Sequence, residues 1–211
     1  MEAPRPEDEA GLPDLLERFR GGDRDAFQRI VGAFQARLVQ FFYRLCWDRD
    51  RAEDLTQDLF LKLLRSQGSY RSEGKLSTYL FRMATNLWID EYRARRPQRG
   101  LYSLDQVLLE GAAAEVRPGV APEPCGPVEN AIDDEERARL RQAVETLTEP
   151  HRLVLELAVY QELPYQEISE ILAIPIGTIK SRMHNAVHAL RDKLGAGEAQ
   201  QAPRRAAGGG S

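Results

Sequence analysis

The sequence of 211 residues lacks any apolar run close to the roughly 20 residues that a membrane-spanning helix needs. It has little cysteine: Cys46 and Cys125 form neither a CxxC pair nor a metal-ligand spacing, so we expect no structural disulfide and no zinc site. The first residues, MEAPRPEDEAG, are acidic and rich in proline, unlike a secretory signal or an organelle-targeting helix. These absences predict a cytoplasmic protein that is not inserted in a membrane.

Catalytic and cofactor-binding motifs are also missing. His151, His184 and His188 do not fall into an arrangement with a serine or cysteine nucleophile, and the chain has no P-loop and no GxGxxG stretch. No segment shows the alternation of a β-strand. The sequence therefore predicts an all-α protein that is not an enzyme and that uses no cofactor and no metal.

Charge of both signs is present but unevenly distributed. The formal net charge of −4 argues against a nucleic-acid partner only if the charge is spread evenly. Arginines cluster in EYRARRPQRG, whereas acidic residues collect farther along the chain and end in DDEE at residues 133–136. A local basic patch can bind nucleic acid even when the average charge of the chain is negative.

Apolar periodicity predicts a first helical block at residues 13–97. A short helix ends at Gly21, a long amphipathic helix follows, and a third helix begins near Asp50, which resembles a capping-box residue. A fourth helix begins near Ser77 and is stopped by Pro97. The residues expected to face inward are Phe27, Ile30, Val31, Phe34, Leu38, Phe41, Phe42, Leu45, Ala52, Leu55, Leu59, Leu63, Leu80, Met83, Ala84, Leu87 and Trp88.

A linker and a second block follow. Residues 98–131 are rich in Pro, Gly, Ala and acids, which predicts a flexible acidic linker. Residues 132–195 form the second helical block, in which Leu140, Val144 and Leu147 should face inward on the first helix. We expect disorder in residues 1–12 and in the tail, residues 196–211. The predicted architecture is two small all-α domains on a tether.

The segment LPYQEISEILAIPIGTIKSRMHNAVHALRDKL has the pattern of a helix-turn-helix: a short helix, a tight turn and a longer helix with a polar outer face. Many such motifs place glycine where this chain has Ala173, and a positive φ there would cost about 1 kcal/mol. The longer helix suits the major groove. Its candidate DNA-reading residues are Ser181, Arg182, His184, Asn185 and His188, with Lys180 placed for a phosphate. A solvated polar face has the same pattern.

This segment resembles region 4 of the extracytoplasmic-function RNA polymerase sigma factors of the sigma-70 family, whose usual form is close to LSYEEIAEILGIPVGTVKSRLHRAR. In the first block, GDRDAFQRIV, DRAEDLTQDLFLKLL and LSTYLFRMATNLWIDEYRARR follow the order and spacing of region 2 of the same family. The resemblance covers both blocks. It implies a region 2 bundle and a region 4 helix-turn-helix that together direct transcription initiation at promoters with −10 and −35 elements.

The resemblance also implies partners and their contact residues. Core RNA polymerase would bind through the clamp helices of its β′ subunit and through its β flap, promoter DNA would be the second partner, and an anti-sigma factor a third. The clamp helices would dock on the third helix, whose exposed stripe consists of Asp54, Gln57, Asp58 and Leu61. A solvated acidic face is the alternative. These helical carboxylates lack the alternating ligand loop that calcium needs.

The fourth helix would face the single-stranded −10 element. Its candidate contact residues are Tyr79, Arg82, Asn86, Arg93, Arg95 and Arg96. The polar stretch from Ser69 to Thr78 is expected to form a mobile loop with a pocket for a flipped base. Tyr79 stands where the family usually has Trp, and it either stacks on a base or packs against the third helix.

Two other functions explain less of the sequence. A DNA-binding regulator with a C-terminal helix-turn-helix would leave the arginine-rich fourth helix and the acidic third helix unexplained. A helical adaptor with no DNA role predicts no salt-dependent DNA affinity in any assembly. Run-off transcription with core polymerase distinguishes these functions from that of a sigma factor.

Overall fold

A computed structural model describes residues 12–66, 75–95 and 131–201 of the chain, and within them the side chains of residues 15–66, 75–95 and 138–195. All regular structure in these ranges is helical. This confirms the all-α prediction. The predictions for residues 1–11, for most of the linker and for residues 202–211 lie outside the described residues.

The first block consists of helices α1 (Leu12–Arg20), α2 (Arg24–Cys46), α3 (Arg49–Arg65) and α4 (Leu76–Ala94). α1 ends at the predicted glycines, and Gly22 takes a positive φ of 92°, which costs glycine little. Asp23 then caps α2, because its carboxylate accepts hydrogen bonds from the amides of Asp25 and Ala26.

The cap of α3 differs from the prediction. Asp48, and not Asp50, caps this helix: its Oδ1 accepts a hydrogen bond of 3.0 Å from the Arg51 amide. The preceding Trp47 has a positive φ of 56°, so α2 ends in a tight turn that leaves Asp48 in the extended conformation of an N-cap. Asp50 lies inside the first turn, where an acid is favoured by the helix dipole.

The core of the first block confirms the predicted apolar stripes. Phe27, Val31 and Met83 are partly buried, and the other inward residues predicted for α2, α3 and α4 are buried. The buried Arg37 extends its guanidinium over the Phe34 and Phe81 rings, at 5.7 Å and 5.3 Å from the ring centroids. Cation–π contact offsets part of the cost of removing this charge from water.

The second block consists of α5 (Ala131–Glu145), α6 (Glu149–Leu155), a π-helical turn (Glu156–Tyr160), α7 (Tyr165–Leu172) and α8 (Ile176–Gln201). Val144 and Leu147 are buried as predicted. The prediction for Leu140 is wrong, because this residue is 41% exposed. Ala143, Val144 and Leu147 are buried around the C-terminal end of α5, so Leu140 lies one turn before the covered part.

The predicted ends of the second block also need correction. α8 continues to Gln201, so the disorder predicted from residue 196 is wrong for residues 196–201. The residues AGEAQQ that follow Gly195 are mostly good helix formers, and they extend a helix that is already nucleated. Leu12 was predicted to be the last residue of the disordered N-terminus, and Ala131 the last residue of the linker. Both belong to helices.

The two blocks are in contact and share one apolar core. α7 packs against α4, and Leu153, Val154, Leu157 and Ile168 belong to the same buried cluster as the residues of α2, α3 and α4. Periodicity shows which face of a helix is apolar, but it does not show which helix covers that face. The structure therefore places against each other two blocks that the sequence presents as separate units.

The Glu91 carboxylate joins α3 to α4 and gives the fold a dependence on pH. It pairs with Arg51 of α3 and, at 2.7 Å, with Arg95 Nε, and the hydrogen bond from Arg51 is the main cause that lowers the pKa of Glu91. Such a group stabilises the fold above its unfolded-state pKa, and the stabilisation is lost as the pH falls through the folded-state pKa. We expect Glu91→Gln to lower the free energy of unfolding at neutral pH by about 1 kcal/mol.

Urea denaturation of Glu91→Gln and of the unsubstituted chain across a pH series measures this effect. The difference in free energy should shrink as the pH falls below 4.5, the ordinary pKa of the group, because the unsubstituted carboxylate then also loses its charge. Glu53→Gln is the control, since Glu53 pairs with the exposed Arg49 on its own helix. A Glu91→Gln difference that does not change with pH would contradict the assignment.

Candidate functional site

The turn between α7 and α8 has the geometry of a helix-turn-helix. The φ at Ala173 is positive (φ 54°, ψ 39°), a conformation that costs a residue with a Cβ about 1 kcal/mol. The Ser169 hydroxyl donates a hydrogen bond of 2.6 Å to the Ile174 carbonyl, and the Pro175 carbonyl accepts from the Thr178 amide at 2.9 Å. These bonds fix the direction in which α8 leaves the turn.

The apolar side of α8 determines which side chains point outward. Ile179 and Ala186 are completely buried, and Met183 packs against the same core. The opposite side therefore faces solvent. The predicted DNA-reading residues that are exposed are Lys180, Ser181, His184, Asn185 and His188. The rings of His184 and His188 contact each other edge to face, with their centroids 4.3 Å apart.

Arg182 does not lie on this outward face, so its predicted position is wrong. Its side chain is only 7% exposed, and burial lowers the pKa of its guanidinium. The charge acts on His151 of α6, whose pKa is lowered mainly by burial and also by Arg182. Arg182 follows the buried Ile179 by three residues, a spacing that puts both on the same side of a helix. This spacing indicates that Arg182 is buried, but the charge of its side chain favoured the opposite prediction.

The third helix carries the predicted polymerase-binding stripe. Asp54, Gln57, Asp58 and Leu61 are all exposed, and Leu61 is 48% exposed although it is apolar. The pKa of the Arg51 guanidinium, one turn earlier, is raised mainly by its hydrogen bond with Glu91 and to a smaller extent by the charges of Asp54 and Asp58. The carboxylates thus form a negative edge on the outer side of α3.

A groove of about 460 Å³ lies beside this edge, between α2 and α3, and sequence reasoning missed it. Gln57 and Leu61 belong to its wall. The other lining residues are Phe27, Val31, Gln35, Val39, Glu53, Thr56, Phe60 and Leu64. The sequence feature that could have indicated the groove is a pair of apolar residues outside the inward stripe of α3, Leu61 and Leu64. An apolar groove beside two carboxylates can receive a helix that carries both apolar and basic side chains.

The fourth helix presents part of the predicted −10 surface. Arg82 and Asn86 are exposed one turn apart. Arg93 is partly buried, and its Nε and Nη2 have no hydrogen-bond partner among the described residues. Arg95 is exposed and pairs with Glu91, whereas Arg96 lies outside the described residues. The described cations therefore extend along α4 to its C-terminal end.

The start of α4 corrects the predicted loop. The expected loop reached Thr78, but Leu76 to Thr78 are helical and buried, so they cannot belong to a mobile pocket. Burial of the Leu76 side chain explains why the helix begins before the polar Ser77. Tyr79 is partly buried, and its hydroxyl lies 3.4 Å from the Ser66 hydroxyl at the end of α3. Tyr79 was predicted either to stack on a base or to pack against the third helix. In the structure it packs against the third helix.

Two general features bear on the kind of site that is present. Within the side chains that the structure describes, no group of three or more His, Cys, Asp or Glu is placed to hold a metal ion. Every helix in the described ranges is too short or too polar to span a bilayer.

Sequence comparison matches both blocks to known families. Residues 30–98 match Sigma-70 region 2, and residues 143–192 match Sigma-70, region 4. The ECF RNA polymerase sigma factor SigW of Bacillus subtilis is 32% identical over 179 residues, which are 85% of this chain and 94% of the relative. The two matched regions thus occur together, and in the same order, along nearly the whole length of a known protein.

Solved structures show a similar fold. CnrH, in complex with the cytosolic domain of CnrY, superposes with a TM-score of 0.65 at 18% identity and covers 89% of this chain and 99% of its own. The sigma factor RpoE of Bartonella quintana, in complex with the anti-sigma factor NepR, has a TM-score of 0.59 at 23% identity and covers 80% and 96%. The sequence relationship and the shared helical architecture agree. This chain belongs to the extracytoplasmic-function RNA polymerase sigma factors of the sigma-70 family.

Proposed function

We propose that this protein binds core RNA polymerase and directs it to promoters that carry its −10 and −35 elements. The observation that carries the proposal is the presence, in one chain and in the family's order, of an acidic docking helix and an exposed helix-turn-helix. The polymerase supplies the chemistry of RNA synthesis, and the chain supplies docking and promoter recognition. As a polymerase subunit it acts in the cytoplasm.

The docking surface is the outer side of α3 together with the α2–α3 groove. Asp54 and Asp58 form ion pairs with basic side chains of the β′ clamp helices. An apolar side chain of the same helices packs against Leu61 in the groove. The 48% exposure of Leu61 supports this use, because exposed apolar side chains next to a groove are typical of protein interfaces. The second block contacts the β flap.

The outer face of α8 reads the −35 element in the major groove. Ser181, His184 and Asn185 contact base edges, and His188 lies one turn farther along the same face. Lys180, on the edge of that face, binds a phosphate. Arg182 is buried, so it supports the position of the helix and does not read a base.

Substitutions on α8 should separate base reading from phosphate binding. We expect Asn185→Ala to weaken holoenzyme binding to its best −35 sequence by about 1–3 kcal/mol and to relax selection at one base pair, because a bidentate base contact is lost. Lys180→Ala should weaken binding to all sequences evenly and reduce the salt slope by about 1. Selection from a randomised −35 library by each holoenzyme, followed by salt titrations, measures both effects.

Arg182→Lys is the matched control for this experiment, since it keeps the charge at a buried position behind the reading face. Its holoenzyme should select the unsubstituted −35 sequence. If Asn185→Ala and Ser181→Ala also select that sequence, the outer face of α8 is not the reader. A changed base preference in Arg182→Lys would instead assign base reading to the buried arginine.

The exposed side of α4 contacts the non-duplex −10 element. Arg82 and Asn86 offer donors one turn apart, and Arg93 and Arg95 continue toward the end of the helix. Arg96 follows directly in sequence. Positive grooves hold single strands through their phosphates, while planar groups stack on the bases. Tyr79 is turned toward Ser66, so it would have to leave that contact before it could stack on a base.

A regulatory partner follows from the family. RpoE of Bartonella quintana, which has a similar fold, was solved with an anti-sigma factor bound. An anti-sigma factor is accordingly proposed as a partner of this chain. Co-purification from its own cells, with run-off transcription before and after removal of the bound protein, tests this partner.

Run-off transcription tests the proposed function itself. Core RNA polymerase should initiate at a cognate promoter only when this chain is added. A DNA-binding regulator would bind duplex DNA alone and leave the core enzyme inactive, and an adaptor would do neither. Either of these outcomes would replace the proposed function.

A further inference from the structure

Two histidines lie one turn apart on the outer face of α8. His184 and His188 are both exposed, and their rings contact each other edge to face with centroids 4.3 Å apart. Their spacing in HNAVH is i, i+4, which places two side chains on one side of a helix with Cβ atoms about 5–6 Å apart. The two imidazoles therefore share one small region of the surface, which we call the histidine pair.

The ring nitrogens of the histidine pair are available to a ligand. Within the described part of the chain, neither ring takes part in a hydrogen bond. His151 differs, because its Nδ1 lies 2.9 Å from the Thr148 hydroxyl. Neutral imidazole is a preferred ligand of Zn²⁺, Ni²⁺ and Cu²⁺. The pair thus offers two metal-binding groups side by side.

The geometry of the pair fits one metal ion. Metal–nitrogen distances of about 2.0–2.1 Å at a tetrahedral angle place two ligand nitrogens about 3.3 Å apart. The χ2 torsion of histidine has a broad energy well, so one nitrogen of each ring can turn toward the same point from centroids that are 4.3 Å apart. The same i, i+4 spacing of two histidines on a helix binds zinc in metalloproteases. Coordination requires rotation of the two rings and no change in the backbone.

The surroundings of the pair favour reversible binding. No third histidine, cysteine or carboxylate is grouped with the pair among the described side chains, so water molecules would complete the coordination of the ion. Lys180 and Arg191 lie about one turn away and repel a cation, whereas Asp192 attracts it, and all three are exposed and screened by water. A structural zinc site has four protein ligands. A site with two protein ligands exchanges its ion with solution.

An ion on the histidine pair would lie in the middle of the face proposed to read DNA. Ser181 and Asn185 are exposed beside His184 on that face. Base reading requires that side chains come within about 3 Å of the base edges. The bound ion would use imidazole nitrogens that could otherwise contact bases, and its water ligands would hold the base edges away from the neighbouring side chains.

We propose that His184 and His188 form a binding site for a divalent transition-metal ion and that the bound ion blocks reading of the −35 element. The first part rests on the geometry of α8 alone, and the second part rests on the proposed function. A metal ion at this pair would revise the expectation, drawn from cysteine spacing, that the chain holds no metal.

Titration of the free chain with Ni²⁺ tests the site. The chain is prepared without an affinity tag and with Cys46 and Cys125 changed to serine, so that thiols do not compete for the ion. Calorimetry should show one ion per chain. His184→Gln and His188→Gln should each weaken the affinity at least about tenfold, because coordination by the second imidazole is intramolecular once the first has bound.

Matched variants separate chelation from the number of histidines. His151→Gln should bind Ni²⁺ with unchanged affinity. His188→Gln, Lys193→His keeps three histidines but separates the two on α8 by about 13.5 Å along the helix axis, so it should bind as weakly as His188→Gln. His184→Gln, Asp192→His moves the i, i+4 pair by one turn and should restore the affinity. Equal affinity of the unsubstituted chain and both single-histidine variants would refute the site.

Promoter binding with and without Ni²⁺ then tests the block. Holoenzyme should bind the −35 sequence that it selects best at least about tenfold more weakly in saturating Ni²⁺, and removal of the ion by dialysis should restore binding. Holoenzyme with His188→Gln should show no such change at the same Ni²⁺ concentration, each variant being compared with its own metal-free affinity. This comparison also removes any effect of Ni²⁺ on the polymerase itself.

The outcomes distinguish the two parts of the proposal from the proposed function. Ni²⁺ binding to the free chain with unchanged or tighter promoter binding would refute the block and leave the metal site in place. Equal inhibition of the unsubstituted and His188→Gln holoenzymes would also refute the block. Failure of metal-free holoenzyme to bind any promoter would refute the proposed function, and the titration of the free chain would be unaffected.

Discussion

We expect the double substitution Asp54→Lys, Asp58→Lys to abolish recovery of this chain with core RNA polymerase. Both carboxylates are exposed on α3, so their reversal should leave the fold intact. It would place cations against the basic side chains that the proposal assigns to the partner, and such like-charge contacts cost several kcal/mol. The affinity should fall by at least about 100-fold, since each 1.4 kcal/mol is a factor of ten. Pull-down with core enzyme and run-off transcription measure the loss.

The matched control is Glu17→Lys, Asp25→Lys, which reverses two exposed acids on α1 and α2. It should retain core binding and transcription. Leu61→Asp tests the contribution of the groove to core binding separately from that of the two carboxylates. Leu61 is exposed, so its replacement creates no cavity in the core. Core binding that survives the reversal of Asp54 and Asp58 would show that α3 is not the docking helix.

The second large effect concerns the support of α8, the helix proposed to read DNA. Ile179→Asp should lower the free energy of unfolding by more than about 4 kcal/mol, because a carboxylate without a partner would replace a completely buried side chain. Ile179 belongs to the apolar cluster that both blocks share, so the loss should extend beyond α8. Chemical denaturation followed by circular dichroism measures the change, and hydrogen exchange locates it.

Lys180→Asp is the control for Ile179→Asp, since it introduces the same side chain at the next, exposed position. It should change the free energy of unfolding by less than about 0.5 kcal/mol, although it should weaken DNA binding. Equal stability of the two variants would mean that the apolar side of α8 is not packed as the structure has it.

The spacing of apolar residues along the sequence was sufficient to predict most of the helices. In α2 and α3 the apolar residues recur with the helical period, and the residues predicted to be inward are buried or partly buried. The same period places Ser181 and Asn185 opposite Ile179, so the exposed polar face of α8 was also predictable. The errors at helix ends, such as Asp48 for Asp50, arise because neighbouring polar residues are almost equally good caps.

Side chains at the edge of an apolar face were not predictable in the same way. Arg182 and Leu140 lie at such edges, and the burial of an edge residue depends on which neighbour covers it. Arg182 is buried although it is charged, whereas Leu140 lies before the covered end of α5. Residue type alone predicted the opposite for both.

The sequence by itself determined the all-α class, the order of the two blocks, the acidic stripe of α3 and the polar face of α8, because each depends on spacing within one helix. Only the tertiary structure decided that α7 packs on α4 and that Glu149, Glu156 and Glu167 meet donors of the first block. Glu156 and Arg44 are 112 residues apart. No periodicity joins them, because a contact across that separation is set by how whole helices pack.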